Sequence, residues 1–386
     1  MGGDGATLVI VAGLHGNEPA GVLGAMRVIR ALREERSRRL QGRVVFLTGN
    51  RAALSVGVRF LDRDLNRAWT SERLRTLRMG ARPGLPESTA REDREQRELL
   101  AELDRIIGAA GPTYALDLHT TSGPDGVFTT IGDTLENRDL AQFLPVPLVL
   151  GLEELVEGTL HEYLGERGVP SLAFESGQHE EPEAIDRAEA AIWLLLVGLR
   201  LLPESAVPEI GKARGQLVPI GEAFPKVLEF RHRHELREGD GFRMRPGFRS
   251  FQRLRAGTVV GDDLRGGVSM PEDGRILMPL YQSQGSDGFF VVREFKVFWL
   301  RLSRVLRGLG VGRFVHWLPG IREHPSIPGA LDVNKRVARW YALQVLHLLG
   351  FRRQLDDGDR LVVLRRGKRA ASEGVHTGDG HPPPNP

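Results

Sequence analysis

The chain has 386 residues, of which 41% are hydrophobic and 27% are charged, fractions that exclude collagen-like and intrinsically disordered proteins. Basic residues number 53 and acidic residues 50, a net charge of +3, which argues against nucleic acid as a partner because proteins that bind phosphate backbones are markedly basic. The sequence contains no cysteine, so disulfides and thiolate metal sites are excluded and any metal must be bound by His, Asp or Glu.

Strands and helices are predicted to alternate through the first half of the chain. Residues 7–12 form an aliphatic strand, and Pro19 begins a helix that extends to about Glu35, because proline suits the first turn of a helix. The next predicted elements are strands at 43–47, 114–119, 127–131 and 171–175, helices near 92–107, 159–166 and 182–202, and a long polar loop over 49–67. This alternation predicts an α/β sheet with helices on both faces, which binds ligands at the carboxyl ends of its strands.

The pattern changes after residue 204. Short segments broken by glycine and proline predict a smaller β-rich domain over 205–293. Residues 294–365 are predicted to form a mostly helical, basic extension with one more strand at 361–364, and the tail 366–386 is predicted to be disordered. The first predicted domain is therefore 1–204.

The sequence gives no indication of export or membrane insertion. Residues 1–6 lack the cationic start and apolar segment of a secretory signal. The longest apolar run, 191–202, is interrupted by Arg200 and is shorter than the ~20 residues of a membrane span. We therefore expect a cytoplasmic protein.

Two predicted strands end in residues that could bind a catalytic zinc ion. His15 and Glu18 follow the strand 7–12, and His119 ends the strand 114–119. Two histidines and one glutamate with a free fourth position form the ligand set of many catalytic zinc sites. An ordinary loop histidine and a salt-bridged glutamate are the alternative explanation, because motifs this short often match by chance.

Two further segments carry reactive or substrate-binding residue types. Residues 58–67 contain three Arg, two Asp and one Asn, and guanidinium groups bind carboxylates with paired hydrogen bonds, so this loop suits an acidic substrate. A solvated charged loop is the alternative. Glu175 ends the strand 171–175 behind an apolar run, where a raised pKa and proton transfer are expected, although it could instead cap a helix. His179 follows Glu175 in the same loop and is predicted to support the site from behind.

The motifs in this order resemble the succinylglutamate desuccinylase and aspartoacylase family of zinc-carboxypeptidase-like hydrolases. The first motif is HGNE at 15–18. The second begins with NR at 50–51, includes Arg59 and ends with DLNR at 64–67. The last two are DLHTT at 117–121 and FESG at 174–177. The resemblance covers residues 7–202 clearly and 205–293 loosely. It implies a three-layer α/β fold of the zinc-carboxypeptidase type, followed by a small all-β domain.

The resemblance also implies a role for each matching residue. One zinc ion per chain would be bound by His15, Glu18 and His119. Glu175 would be the general base and then the general acid, and Arg59 would polarise the scissile carbonyl. The other implied residues contact the substrate or support the site: Asn66, Arg67 and Tyr281 for the substrate, and Asp64 as a partner that fixes the loop or a ligand. The implied reaction is hydrolysis of the amide bond of a small N-acyl amino acid or related acidic amide.

The sequence departs from the family at two positions. Aspartoacylase has an arginine about ten residues before its catalytic glutamate that binds the side-chain carboxylate of the substrate, whereas residues 159–164 contain no arginine. His161 or Tyr163 could replace it, and either could equally lie on the helix surface. Tyr281 matches the location of a substrate-capping tyrosine in the second domain of the family, but its neighbouring residues match poorly.

Two other functions remain open at this point. A metallocarboxypeptidase that trims peptides would share the sheet and the zinc ligands. A catalytically silent scaffold or surface-binding protein would act through the basic extension, where Arg301, Arg304 and Arg307 at helical spacing could contact a membrane through residues 294–320. Packing of this helix on the protein itself is the favoured interpretation, and the oligomeric state is open.

Overall fold

The computed structural model describes residues 5–32, 36–79, 90–152, 155–325, 330–334, 337, 346, 348–357 and 360–365. The chain forms two compact units, Met1–Arg304 and Val305–Pro386. The divisions predicted after residues 204 and 293 fall within the first unit, because one sheet continues through both positions. The predicted disordered tail lies outside the described residues.

The elements predicted before residue 204 lie close to their predicted positions, but four helices among the described residues were not predicted, and one of these, at Ile210–Ala223, falls in the region predicted to be β-rich. The strands of the first unit are β1 (Thr7–Ala12), β2 (Arg43–Thr48), β3 (Thr113–Thr121), β4 (Val127–Ile131), β5 (Leu148–Leu150), β6 (Ser171–Gln178), β7 (Val227–Glu235), β8 (Arg243–Met244), β9 (Arg253–Leu254), β10 (Val259–Asp263), β11 (Gly266–Ser269), β12 (Gly274–Leu277) and β13 (Asp287–Glu294). Its helices are α1 (Pro19–Ala31), α2 (Arg51–Val56), α3 (Ser71–Met79), α4 (Arg91–Ile107), α5 (Leu135–Ala141), α6 (Leu160–Glu166), α7 (Glu183–Gly198) and α8 (Ile210–Ala223). Helix α9 (Val297–Gly308) crosses the boundary between the units in sequence.

The described residues of the first unit form a ten-stranded sheet in the order β2-β1-β3-β6-β4-β5-β7-β13-β12-β9. Strands β2, β1, β3 and β6 are parallel, so their carboxyl ends meet at one edge of the sheet. Strand β4 is antiparallel to β6, and β13, β12 and β9 continue the sheet with antiparallel pairing. The β-rich region also forms a separate small sheet in the order β11-β10-β8.

Strand β1 shows why the sheet is covered on both faces. All six of its residues are buried, as expected for a strand between two layers of helices. Leu8 and Ile10 pack with α1 and α7, whereas Val9 and Val11 pack with α3, α4 and α6, because successive side chains of a strand point to opposite faces. The three-layer α/β fold is thus confirmed, with a β-rich region after it.

The second unit differs in part from the mostly helical extension that the sequence predicted. Helix α9 lies where the prediction placed a helix and a short 3-10 helix follows at Val311–Trp317, but the chain then forms strands. Strands β14 (Ile321–Glu323), β15 (Ala330–Asn334), β16 (Phe351–Asp357) and β17 (Arg360–Arg365) make a four-stranded antiparallel sheet. In β15, buried Leu331 and Val333 flank the less buried Asp332, an alternation of period 2 that is too short to stand out among the charged residues of this region.

In the described part of the chain, no helix has the length and apolar character that crossing a bilayer requires.

Candidate metal centre and active site

The candidate site lies at the carboxyl ends of β1, β3 and β6. His119 on β3 and Glu175 on β6 are register partners, so their side chains stand side by side on one face of the sheet. Strand β1 pairs with β3 on the other side, which places the loop after β1, with His15 and Glu18, next to His119. The structure therefore brings together four residues that the sequence predicted from strand ends.

His15, Glu18 and His119 form a buried ligand cluster. Each offers one ligand atom, and these atoms lie within 4.8 Å of one another. Glu18 Oε1 is 2.8 Å from His15 Nδ1, and Glu18 Oε2 is 3.0 Å from His119 Nδ1. Within the described residues, it is the one cluster of metal-binding side chains.

The opposite nitrogen of each imidazole also faces a carboxylate. His15 Nε2 lies 3.2 Å from Asp64 Oδ1, and His119 Nε2 lies 2.9 Å from Asp117 Oδ2. A neutral imidazole that donates from Nε2 turns the lone pair of Nδ1 toward Glu18, and a bound cation would stabilise lone pairs so close to carboxylate oxygens. Two imidazole nitrogens and one carboxylate are donors that suit zinc. The residues present therefore fit a divalent metal.

The pKa values of residues in the ligand cluster also indicate that positive charge is favoured at this position. Burial lowers the pKa of His119, but Asp117 and Glu18 outweigh it and raise this pKa well above its usual value. Burial raises the pKa of Glu18, but His15 and His119 outweigh it and the pKa lies well below its usual range. A bound cation would satisfy the carboxylates without protonating the imidazoles.

Backbone groups hold Glu18 in place. It immediately precedes Pro19, the first residue of α1, where the positive end of the helix dipole favours a carboxylate. Its Oε2 accepts a hydrogen bond from the backbone N–H of Thr120, 3.0 Å away. Glu18 thus bridges the loop after β1 and the end of β3.

A buried glutamate that no sequence motif marked anchors the loop over 57–67. This loop was predicted as part of one long polar loop, but α2 occupies its beginning, with Asn50 as the N-cap. Glu92 Oε1 accepts from the backbone N–H of Leu61 at 2.7 Å and from Asn50 Nδ2 at 3.1 Å, and Glu92 Oε2 accepts from the N–H of Asp62 at 3.1 Å. Glu92 is only 1% exposed, so three hydrogen bonds to a buried charge fix the loop that carries Arg59.

The Arg59 guanidinium lies between Asp64 and the ligand cluster. Its Nε and Nη2 are each 3.0 Å from Asp64 Oδ2, and its Nη1 is 3.7 Å from Glu18 Oε1. Burial lowers the pKa of Arg59, but Asp64 and Glu18 outweigh it and raise the pKa. A largely buried, permanently charged donor beside the ligand cluster can stabilise negative charge on a substrate oxygen.

Arg67 lines the cavity next to the ligand cluster. Its Nη2 donates to Asp287 Oδ2 at 2.6 Å, and Arg233 donates to the other oxygen of Asp287. Its Nε is buried and has no hydrogen-bond partner among the described residues. One donor of Arg67 is therefore available to an anionic ligand.

Asn66 lines the same cavity. Its Oδ1 accepts the backbone N–H of Leu160 at 2.9 Å, which fixes the orientation of the amide. Its Nδ2 then points toward His119, with Nε2 at 3.5 Å. The predicted substrate-binding pair, Asn66 and Arg67, thus lies on one wall close to the ligand cluster.

Glu175 presents an unpaired oxygen in the cavity. Its Oε2 is buried and has no hydrogen-bond partner in the described part of the chain. Burial raises its pKa to about 8, with Glu18 and Asp117 adding to the effect and His119 and Arg59 opposing it. A carboxyl group with a raised pKa and an open oxygen is suited to accept and return a proton.

The structure does not bring Tyr281 to the cavity. Its hydroxyl donates to the carbonyl of Arg245 at 2.9 Å and accepts the backbone N–H of Phe248 at 3.0 Å. The next residue, Gln282, lies in the cavity wall instead. A tyrosine hydroxyl satisfied by a neighbouring loop has no reason to turn toward a substrate.

Gln282 and His179 also line the cavity and contact each other. Gln282 Oε1 accepts from Asn17 Nδ2 at 2.7 Å and lies 3.0 Å from His179 Nε2. His179 Nδ1 is 2.7 Å from the hydroxyl of Thr120, the residue after ligand His119. His179 therefore lines the cavity beside the ligand cluster, and its supporting role stays a prediction, whereas no local signal in the sequence marked Gln282.

Comparisons with known proteins give relatives for most of the chain. Residues 4–191 match the family model Succinylglutamate desuccinylase/Aspartoacylase catalytic domain. The N-acyl-aromatic-L-amino acid amidohydrolase (carboxylate-forming) of Xenopus laevis is 27% identical over 284 residues, which are 67% of this chain and 84% of that protein. The crystal structure of the succinylglutamatedesuccinylase/aspartoacylase from Rhodobacter sphaeroides has a TM-score of 0.55 at 20% identity and covers 76% of this chain and 87% of its own. The succinylglutamate desuccinalase of Vibrio parahaemolyticus has a TM-score of 0.53 at 18% identity, with coverages of 76% and 83%.

Proposed function

Residues 4–191 belong to the succinylglutamate desuccinylase/aspartoacylase family, and from this premise we propose that the protein is a zinc-dependent amidohydrolase that deacylates N-acyl amino acids. The observation that carries the proposal is the buried ligand cluster with Glu175 on the neighbouring strand. The amidohydrolase name of the Xenopus laevis relative and the desuccinylase names of the structural relatives support the reaction class. The cytoplasmic location expected from the sequence is part of the same proposal.

His15, Glu18 and His119 would bind one zinc ion per chain. When bound, zinc supplies Lewis-acid chemistry that acidifies a water molecule and polarises a carbonyl group. Asp64 and Asp117 fix the orientation and the tautomer of the two imidazoles through their Nε2 atoms, an arrangement that increases the basicity of the ligating nitrogen.

The remaining residues supply proton transfer, charge stabilisation and substrate binding. Glu175 takes a proton from the water that adds to the amide carbon and returns it to the nitrogen as the C–N bond breaks. Arg59 stabilises the negative charge on the carbonyl oxygen. Asn66 and the unpaired Nε of Arg67 bind the α-carboxylate of the substrate. The products are a carboxylic acid and an amino acid.

A loop that covers one side of the cavity favours a small substrate over a peptide. Gln284 accepts the backbone N–H of Arg59 at 3.1 Å and donates to the carbonyl of Phe60 at 3.2 Å. With Gln282 bonded to Asn17, the loop between β12 and β13 covers the metal-binding side. A carboxypeptidase needs an open cleft for the remainder of its peptide substrate, so this geometry does not favour that alternative.

Metal content and activity, measured together on three proteins, test the proposal. Wild-type protein purified without chelator is expected to contain about one zinc ion per chain, and Glu175→Gln is expected to retain the metal and lose hydrolysis of N-acyl amino acids, because its amide cannot accept a proton. Glu180→Gln, an exposed neighbour, is the matched control and should behave as wild type. A wild-type protein that binds no zinc even when zinc is supplied, or a Glu175→Gln variant with full activity, would refute the proposal, the first favouring the silent scaffold.

A further inference from the structure

We propose that the cavity accepts a substrate whose side chain is apolar and uncharged, so that the enzyme deacylates N-acyl amino acids with apolar side chains and discriminates against those with a second carboxylate. This inference rests on the proposed function. It departs from the acidic succinylglutamate that the names of the structural relatives contain, and it extends the aromatic amino acids in the name of the Xenopus laevis relative to apolar side chains in general. It follows from the lining of the cavity beyond the ligand cluster.

One wall of the cavity is apolar. Side chains from four separate segments form this apolar wall: Leu152, Val156, Ala173, Met278, Leu280 and Phe290. Val156 and Phe290 are almost fully buried and belong to the hydrophobic core between the sheet and the β-rich region. Leu152 and Met278 pack against the same core, so most of the apolar wall is continuous with it and favours contact with an apolar group.

The cations of the cavity are already matched by carboxylates. In the part of the chain that the structure describes, Arg59 and Arg67 are the arginines of the lining and no lysine lines it. Arg59 pairs with Asp64, and Arg67 shares Asp287 with Arg233. The unpaired Nε of Arg67 can serve the α-carboxylate of a substrate. A second substrate carboxylate would have no cation of its own and would lie near Asp287 and Glu175.

His161 does not replace the missing arginine. It lines the cavity, but its Nε2 accepts the backbone N–H of Gly132 at 2.6 Å and therefore carries no proton. Its Nδ1 lies 2.9 Å from the hydroxyl of Ser171. An imidazole held as the neutral Nδ1–H tautomer cannot form an ion pair with a substrate carboxylate.

Tyr163, the other residue that the sequence offered, is engaged elsewhere. Its hydroxyl donates to Asp104 Oδ1 at 2.6 Å, and its ring packs at 5.3 Å between centroids on Trp69. It does not line the cavity, unlike Thr130, whose buried hydroxyl has no partner among the described residues. Thr130 adds a hydrogen-bonding group without charge, so it can tolerate a neutral polar atom on an otherwise apolar side chain.

Substrate selectivity of the wild-type protein is the first test. We expect kcat/KM for N-acetyl-phenylalanine and N-acetyl-leucine to exceed that for N-acetyl-aspartate and N-acetyl-glutamate at least about 100-fold, because an unpaired carboxylate would be buried against the apolar wall. Equal or greater kcat/KM for the acidic substrates would overturn the inference and leave the deacylase function intact. Hydrolysis of none of the four contradicts the proposed function, and the inference is then decided by the binding measurement below.

A charge-introducing variant locates the selectivity. Leu152→Arg places a guanidinium in the apolar wall and is expected to shift the ratio of kcat/KM for phenylalanine over aspartate substrates at least about 10-fold toward aspartate. Leu264→Arg, at an 82% exposed leucine of the β-rich region, is the matched control and should leave the ratio unchanged. A folded Leu152→Arg variant with the wild-type ratio would place selectivity elsewhere and overturn the assignment of this wall.

Calorimetric binding provides a measurement that does not depend on catalysis or on a variant that folds. Wild-type protein is titrated with 3-phenylpropanoate and with glutarate. Both compounds have one carboxylate in common, and the first carries an apolar ring where the second carries another carboxylate. We expect 3-phenylpropanoate to bind at least about 10-fold more tightly. Glutarate binding as tight or tighter, or no binding of either, refutes the inference whatever the kinetic result.

Discussion

Replacing Glu92 with glutamine tests whether the buried carboxylate at the start of α4 holds the active-site loop. Glutamine keeps the size of the side chain and removes the charge and one acceptor oxygen. The structure places two of the three donors, Leu61 N–H and Asn50 Nδ2, on Oε1 and the third, Asp62 N–H, on Oε2. In its better orientation the amide keeps the first two hydrogen bonds and turns an NH₂ group toward Asp62 N–H.

The cost follows from these contacts. Hydrogen bonds to a charged group contribute about 1.5–3 kcal/mol each. Loss of one such bond, together with weakening of two that become neutral, predicts that Glu92→Gln lowers the free energy of unfolding by about 2–4 kcal/mol. Because Arg59 lies on this loop and would move with it, we also expect kcat to fall by about 10- to 100-fold.

Urea denaturation at neutral pH measures the free energy of unfolding. Hydrogen exchange, measured by mass spectrometry, follows the backbone amides of Leu61 and Asp62, which should exchange faster in the variant. Glu98→Gln on the same helix is the matched control. Glu98 is about half exposed and pairs with Arg51 and Arg94, so its replacement should change stability by less than about 1 kcal/mol. A Glu92→Gln variant as stable and as slowly exchanging as the control would refute the anchoring role.

Three further predictions concern the ligand cluster and its surroundings. Arg59→Ala is expected to lower kcat by about 10²- to 10³-fold with zinc content unchanged; steady-state kinetics check this, and an unchanged kcat would contradict the oxyanion role. Asp117→Asn is expected to weaken zinc binding by about 10- to 100-fold, because His119 loses the charge that fixes its tautomer; competition with a chelator measures it, and undiminished affinity would mean that another group orients the imidazole. Burial raises the pKa of Asp287, but Arg67 and Arg233 outweigh it and lower the pKa below 3.8, so its stabilisation is complete above about pH 4 and is lost as the pH falls through the lower folded-state pKa. Denaturation at several pH values should therefore show wild type losing more stability than Asp287→Asn on acidification, and parallel losses would contradict this.

The predicted site residues that the structure brings together share one feature. His119 and Glu175 each end an apolar run that forms a buried strand, and His15 and Glu18 follow another. A change from apolar to chemically reactive residues at a strand end can be recognised from the amino-acid sequence alone. Parallel pairing of β1, β3 and β6 then brings these ends together without any further information.

The residues that the sequence did not identify lie far along the chain or carry no local signal. Asp287 meets Arg67 across 220 positions, and Gln282 meets Asn17 across 265. Both contacts depend on the loop between β12 and β13 folding over the site, and its path is set by how β13 pairs with β7. Pairing partners and register of strands so distant cannot be derived from hydropathy patterns, since each short strand could pair with several others.

The charges around the cavity favour the binding of a divalent cation. Five carboxylates and three guanidiniums lie in or against it: Glu18, Asp64, Asp117, Glu175 and Asp287, and Arg59, Arg67 and Arg233. A net charge of −2 in a mostly buried region is energetically unfavourable. The raised pKa values of Glu175 and His119 reflect this, because protonation of either group reduces the net negative charge. A bound divalent cation would neutralise the same net negative charge. It would thereby lower the pKa of Glu175 from about 8 and leave this carboxylate ionised near neutral pH, the state that a general base requires.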